Sequence, residues 1–256
     1  LQASSNLTQN ADAHINASTA GASSLTLDAG QNVLLQGNIT LQNGDVTVTA
    51  GNTLSLEGVV TTGGNVSMTG GGGGLTMGAA GSIHAGSGSV TLSAPGPLEV
   101  STINANSVSL TSTVGSVLRG GTSLITANDL TVNAATTIGD AGTPLATNVD
   151  TLTATTTNGS IWIDEQNAVT LSDVRAGGIA SSVTINANGT ITVGTVEAAS
   201  SVALDAGTGS FLNDDDDSTS ITTSNLTLTA TGAIGTNTPQ GRINTKVASV
   251  TATGSA

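Results

Sequence analysis

The sequence predicts an all-β chain folded as a right-handed parallel β-helix, a solenoid of about 11–12 coils with roughly 20–22 residues and three short strands per coil. Three observations predict this fold. Apolar and small polar residues alternate in short runs, the runs recur at a regular interval, and the composition is unusual. Among 256 residues, aromatic residues make up 1% and charged residues 8%, with 34 Gly and 4 Pro. Aliphatic side chains must therefore supply nearly all of the core.

One five-residue pattern recurs along the chain: an apolar residue, Thr or Ser, an apolar residue, a polar residue and a small residue. It reads "LTLDA" at residue 25, "VTVTA" at 46 and "VTATG" at 250, and the ten intervals between these limits average 22.5 residues. Such alternation predicts half-buried strands, and the Gly, Asn, Asp and Ser residues between runs predict tight corners. Two further short runs in most periods complete three strands per coil. A propeller blade would need about 40 residues, and an antiparallel sandwich would not require such similar periods.

In a parallel β-helix, equivalent residues of successive coils stack about 4.8 Å apart. The first apolar residue of each copy is predicted to lie in one inward column: Leu25, Val46, Val66, Val90, Val108, Leu130, Leu152, Val183, Val202, Leu226 and Val250. The residue after it is predicted to face outward in a row of mostly hydroxyl side chains: Thr26, Thr47, Ser67, Thr91, Ser109, Thr131, Thr153, Thr184, Thr227 and Thr251.

The repeat predicts a single β-helical segment over residues 1–256. Both ends fall inside the repeat, so we expect the segment to be a piece of a longer chain with more coils on either side. The longest interval, 31 residues between Leu152 and Val183, contains an additional run, "AVTLSDV". We therefore expect an irregular insertion at about 158–181, with a bulge or an extra strand that leaves the regular coils.

Charge and composition exclude several classes of protein. The net charge is −13, with 17 acidic residues against 4 basic ones, so nucleic acid and anionic membranes would be repelled. No run of 18 apolar residues occurs, which argues against insertion into a membrane as a helix. The chain has no Cys, so disulfides, thiolate chemistry and cysteine zinc sites are excluded.

Two weak candidate sites stand out. The acidic loop at 213–218 carries Asp214, Asp215, Asp216 and Asp217, and carboxylates are the ligands that calcium prefers. Consecutive side chains point in different directions, however, so a solvated corner is the main interpretation and a calcium or magnesium site the alternative; no other cofactor is predicted. Trp162 lies between Ile161 and Ile163 and should face outward if the two Ile side chains fill the core. It either packs on a neighbouring loop or contacts a partner.

The sequence does not predict an enzyme. Asp164 and Glu165 are adjacent on a predicted strand and should face opposite ways, whereas a glycosidase needs two carboxylates across one sugar. Sugar clefts usually offer aromatic platforms, and Trp162 is the only Trp. His14 and His84 lie several coils apart. No nucleophile motif accompanies them.

A flat row of Thr-x-Thr pairs at β-helix spacing would also suit an ice-binding face. Asp28, Asn133, Asn186 and Asp205 interrupt that row. The pairs that fit are Thr47/Thr49, Thr153/Thr155, Thr227/Thr229 and Thr251/Thr253.

Four stretches resemble the repeat region of filamentous-haemagglutinin-type exoproteins. They are "LTATTTNGSIWIDEQNAVTLSDVRAGG" (152–178), "SVTINANGTITVGTVEA" (182–198), "GSFLNDDDDSTSITTSNLTLTATGAIGT" (209–236) and "RINTKVASVTATGS" (242–255). The resemblance covers essentially the whole chain and is most specific over 150–256. It implies a large bacterial adhesin, exported by two-partner secretion, with a long β-helical shaft.

The expected function is therefore that of a structural shaft or spacer in a secreted bacterial surface adhesin or extracellular fibre, located outside the cell or on its surface. Expected partners are neighbouring repeats or copies that build fibres, and a host or cell-surface glycan or protein. A carbohydrate-binding or ice-binding face on the same scaffold is the alternative.

Overall fold

The computed structural model of the chain describes residues 1–17, 23–238 and 241–255. These residues form strands and corners and no helix, so no helix within them could cross a membrane. The chain divides into two compact units, Leu1–Asn128 and Asp129–Ala256. Each unit is a parallel β-solenoid, and the two together contain about 11 turns. The predicted all-β solenoid fold is confirmed.

The first unit is built from short strands, three to a turn. Its strands are β1 Gln2–Ala3, β2 Leu7–Gln9, β3 Ile15–Ala17, β4 Leu25–Ala29, β5 Val33–Leu35, β6 Ile39–Leu41, β7 Val46–Ala50, β8 Thr53–Leu56, β9 Val59–Thr61, β10 Val66–Thr69, β11 Gly74–Met77, β12 Ser82–His84, β13 Ser89–Ala94, β14 Leu98–Val100, β15 Thr102–Asn104, β16 Ser107–Ser112, β17 Val117–Arg119 and the start of β18 Ile125–Ala134.

The register of these strands confirms the predicted inward column in the first unit. Leu25 pairs with Val46, Val46 with Val66, Val66 with Val90 and Val90 with Val108, all in parallel. The four Val residues are at most 2% exposed. Full burial of such a side chain contributes roughly 1.5–3 kcal/mol, so the column stabilises the stacking of turns alongside the strand hydrogen bonds.

The second unit has longer strands. They are β19 Leu145–Thr156, β20 Ile161–Glu165, β21 Val169–Ala176, β22 Ser182–Ala187, β23 Ile191–Ala198, β24 Ser201–Asp205, β25 Phe211–Asn213, β26 Ile221–Thr229 and β27 Thr245–Thr253. No Gly or Pro interrupts β19, β26 or β27, which run for 12, 9 and 9 residues.

The predicted column is wrong between Leu152 and Val183. Leu152 pairs with Leu171 of β21, whereas Val183 pairs with Ile161 of β20. The outward row shifts in the same way, because Thr153 pairs with Asp173 and not with Thr184. The cause is that two strands, β20 and β21, lie between the two motif copies. The copy at Leu152 therefore stacks on β21, and the copy at Val183 stacks on β20. From Val183 onward the register is as predicted, because Val183, Val202, Leu226 and Val250 pair in succession. The first three are buried, whereas Val250 in β27 is 52% exposed.

Both strands of the segment 158–181, β20 and β21, pair with a strand on each side. β20 pairs with β19 and β22, and β21 pairs with β19 and β23. A register shift lies opposite Leu152 and Thr153, which pair with Leu171 and Asp173. Ser172 is therefore the extra residue, exposed between inward-facing Leu171 and Val174. The bulge re-aims the strand by one residue while both apolar neighbours stay in the core.

Polar side chains at the corners bond one turn to the next. The Oδ1 atom of Asp45 accepts a hydrogen bond from the backbone N–H of Asn65 at 2.8 Å, and the Oδ1 atom of Asn65 accepts one from Ser89 at 2.9 Å. Asn38 does the same for Val59, at 3.0 Å. These bonds satisfy amides that the strand ladder leaves free where the chain turns.

Glycines at other corners allow successive turns to approach closely. A Cβ atom on Gly51 would overlap the carbonyl oxygen of Gly30, and one on Gly71 would overlap that of Gly51. The adjacent Gly72 differs, because a Cβ there would meet nothing within 4 Å.

These two neighbouring glycines provide a matched test of coil stacking. We expect Gly71→Ala to lower the free energy of unfolding by about 1–3 kcal/mol, because overpacking forces the two turns apart. Gly72→Ala should change it by no more than about 0.5 kcal/mol. Thermal and denaturant unfolding followed by circular dichroism measures both. Equal effects of the two substitutions would contradict the close contact between turns.

Candidate functional site

Trp162 lies on the outer surface of β20, as predicted from the alternation. Its neighbours Ile161 and Ile163 are 0% and 1% exposed and fill the core, while the Trp residue is half-buried. The backbone N–H of Trp162 donates to the carbonyl oxygen of Ile138 at 2.8 Å. In the second unit, therefore, the solenoid core determines which way the indole points.

The positions on either side of Trp162 carry small side chains. Thr184 of β22 pairs with it on one side. On the other side, the bridge between Ile138 and Ile161 places Gly139 next to it, and the pairing of Leu145 with Ile163 places Pro144 there as well. Gly139 has a φ of +63° and lies against the backbone of Trp162. The indole is consequently the only large side chain in its outward row, which continues with Ala203, Thr227 and Thr251.

A short loop follows Gly139. The Asp140 carboxylate accepts hydrogen bonds from the backbone N–H of Gly142 at 2.7 Å and from the Thr143 backbone and hydroxyl at 2.8 and 2.6 Å. These bonds, those from Thr143 above all, hold the pKa of Asp140 below its ordinary value. The loop therefore presents a carboxylate that stays ionised.

A second outward row runs beside the Trp162 row. Asp164 pairs with Asn186 and Asn186 with Asp205. The Nδ2 atom of Asn186 donates to the Oδ1 atom of Asp164 at 2.9 Å. No hydrogen bond from a described residue reaches Asp164 Oδ2, so this oxygen can accept one from a ligand.

Asp164 and Glu165 face opposite ways, as predicted. Asp164 is half-buried on the outer face, whereas Glu165 is 2% exposed inside the second unit. The two carboxylates therefore cannot act on one substrate.

The carboxylate of Glu165 bonds the corners of two turns. It accepts hydrogen bonds from the hydroxyl of Thr147 at 2.7 Å and from the backbone N–H groups of Val149 and Asn167 at 3.2 Å. Burial raises the pKa of Glu165 above its ordinary 4.5, against the opposing effect of these bonds. Sequence reasoning missed this role. The signal was present, because Ile161, Ile163 and Glu165 share the inward parity of β20.

The four aspartates of the acidic loop do not converge. Asp214 Oδ1 accepts from the Thr219 hydroxyl at 2.7 Å, and Asp216 Oδ1 accepts from the Ser218 N–H at 2.8 Å. Bonding to Ser218 lowers the pKa of Asp216. Asp215, at φ +63°, and Asp217 are exposed. Within the described ranges, no group of three or more His, Cys, Asp or Glu side chains is arranged to hold a metal ion. Calcium or magnesium binding by Asp214, Asp215, Asp216 and Asp217 stays a prediction.

A charged cluster that the sequence did not reveal lies on the outer side of β21 and β23. Arg175 pairs across the ladder with Glu197. Its guanidinium contacts both the Glu197 carboxylate and, at 2.6 Å, that of Asp173. All three side chains are more than 40% exposed, so these ion pairs contribute little to stability.

The first unit presents a regular double row of hydroxyl groups. The pairing of β7, β10, β13 and β16 places Thr47, Ser67, Thr91 and Ser109 in one row. Thr49, Thr69, Ser93 and Thr111 form the next. The first row is as predicted from the sequence, and with the second row every position over four turns is Ser or Thr. The predicted array in the second unit is interrupted, since Thr153 and Thr155 stand beside Asp173 and Arg175.

Comparisons with protein-family models, with curated proteins and with solved structures found no match. Functional inference therefore depends on the geometry of the chain and on the resemblance of its repeats.

Glu165 predicts a specific pH dependence. Since its pKa is raised in the folded state, its contribution to stability is fully present below the unfolded pKa and is lost as the pH rises through the folded pKa. Glu165→Gln has no such titration. We compare the melting temperatures of Glu165→Gln and the wild type. As the pH is raised from below 4.5 to neutral, the melting temperature of the variant should rise relative to that of the wild type. A difference that does not change with pH would contradict the burial of an ionisable group at this corner.

Proposed function

We propose that the chain is a non-catalytic spacer segment of a secreted bacterial surface adhesin or extracellular fibre. The observation that carries this proposal is the parallel pairing of successive turns within each unit, which continues past the register shift at Leu152 and Thr153. Each paired strand stacks on its equivalent one turn away, with an aliphatic column beneath it. A solenoid of this kind is stiff, because hydrogen bonds and apolar contacts hold each turn to its neighbours.

The extracellular location and the bacterial secretion route in this proposal are inferred from the sequence. The stretches over 152–178, 182–198, 209–236 and 242–255 resemble the repeats of filamentous-haemagglutinin-type exoproteins, which supports an extracellular or cell-surface setting and two-partner secretion. Other copies or repeats, and a host or cell-surface glycan or protein, are the proposed partners. Nucleic acid is not proposed as a partner, because the chain has 17 acidic residues and only 4 basic ones and would repel a polyanion.

A second candidate function is ice binding by the double hydroxyl row of the first unit. The observation that favours it is the aligned register of Thr47, Ser67, Thr91 and Ser109, with a hydroxyl at the matching position two residues on in each strand. Hydroxyl groups repeated about every 4.8 Å can order water in a regular layer. Thermal hysteresis of the purified chain would favour this candidate, and its absence would reject it.

The spacer proposal requires stiffness, which spin labels can measure. The chain contains no Cys, so Thr26→Cys and Ser109→Cys provide two labelling positions in one outward row of the first unit, four pairing steps apart. Their backbones should lie about 19 Å apart at 4.8 Å per step. We expect one narrow distance distribution, with the denatured chain as the broad reference. A broad distribution under native conditions would contradict a stiff spacer.

A further inference from the structure

The outer face of β20, β22 and β24 combines one aromatic ring with an uncompensated negative charge. The Trp162 row continues with Thr184 and Ala203, and the adjacent row contains Asp164 and Asp205. Neither row contains a Lys or Arg within these strands. The half-buried indole has Thr184 on one side and Gly139 with Pro144 on the other, and its exposed part can contact a ligand.

The second unit has almost no basic side chain to neutralise this face. Residues 129–256 contain twelve acidic and three basic residues. Arg175 is engaged with Asp173 and Glu197 on β21 and β23. Lys246 pairs with Thr222 at the outer strand β27, and Arg242 precedes that strand. The potential over Trp162 is therefore negative, which attracts cations and repels anionic sugars.

We propose that the Trp162 ring and the Asp164 carboxylate together bind an arginine or lysine side chain carried by a basic segment of a partner protein. A guanidinium or ammonium group over an indole face is attracted by the ring quadrupole. Asp164 Oδ2 is left to accept a charge-assisted hydrogen bond from it, because Asn186 donates to Oδ1. A neutral sugar would gain the stacking contact but would leave the carboxylate charge uncompensated. The site is separate from the spacer role, which does not require it.

The single Trp makes binding directly observable. With one Trp and no Tyr in the chain, fluorescence excited at the red edge of indole absorption reports on Trp162 alone. The probes are an amidated tetra-arginine peptide, a tetraglutamate peptide and maltotriose. We expect a saturable change in Trp162 emission with tetra-arginine only, and an apparent affinity that falls as salt is added because exposed charges are screened.

Two variants with the same charge change test the residues. Asp164→Asn should weaken the apparent affinity for tetra-arginine by about 3- to 10-fold, as expected for the loss of one exposed charge pair beside a cation–π contact. Asp150→Asn removes an exposed carboxylate of the same unit and should leave the affinity unchanged. Circular dichroism checks that each variant is folded. The salt dependence of tetra-arginine binding to the wild type tests the charge interaction even if a variant does not fold.

Three outcomes would overturn the proposal. Tetra-arginine could produce no saturable change in emission. Asp150→Asn could weaken binding as much as Asp164→Asn, which would show non-specific attraction to an acidic surface. Maltotriose could bind as well as tetra-arginine, which would assign the face to a sugar. If the spin labels show a stiff segment and tetra-arginine does not bind, the spacer proposal stands and only the binding proposal is rejected.

Discussion

In-register parallel pairing between each strand and its equivalent one turn away is the constraint on which the structure depends. Neighbouring paired strands lie about 4.8 Å apart, so every turn must follow nearly the same path as the turn before it. Inward positions then align into columns, and outward positions align into rows. A residue type suited to one turn is suited to all, which explains why Thr, Ser, Gly, Ala, Leu and Val dominate the chain.

The same constraint limits chemistry. A glycine such as Gly51 or Gly71 is required where one corner rests on the carbonyl oxygen of the previous corner. Rows of like charge would repel at this spacing, which suits a chain whose charged residues are only 8% of the total. In the outward rows of the second unit, Asn186 separates Asp164 from Asp205, and Arg175 is paired with Glu197. Most departures from the repeat therefore lie at single outward positions such as Trp162 and in loops, and the buried Glu165 is an inward exception.

Much of this architecture could be predicted from the sequence, because alternation determines which side chains face inward. The column from Leu25 to Val108 and the outward position of Trp162 followed from that rule. The placement of Val183 beside Leu152 did not, because motif similarity cannot count the strands between two copies, and β20 and β21 lie there. Glu165 was overlooked because a carboxylate was not expected at an inward position. Its burial depends on donors from Thr147 and Val149, one turn away.

The most direct test of in-register stacking is a cross-link between turns. The hydroxyl oxygens of Ser89 and Ser107 lie 3.1 Å apart, on paired residues of β13 and β16. Because the chain contains no Cys, Ser89→Cys with Ser107→Cys should form an intramolecular disulfide under mild oxidation. Paired residues about 4.8 Å apart lie within the Cα–Cα range that a disulfide spans. Ser89→Cys with Ser109→Cys, two residues out of register, should not. Equal cross-linking of both pairs, or cross-linking of the second pair alone, would contradict the parallel register.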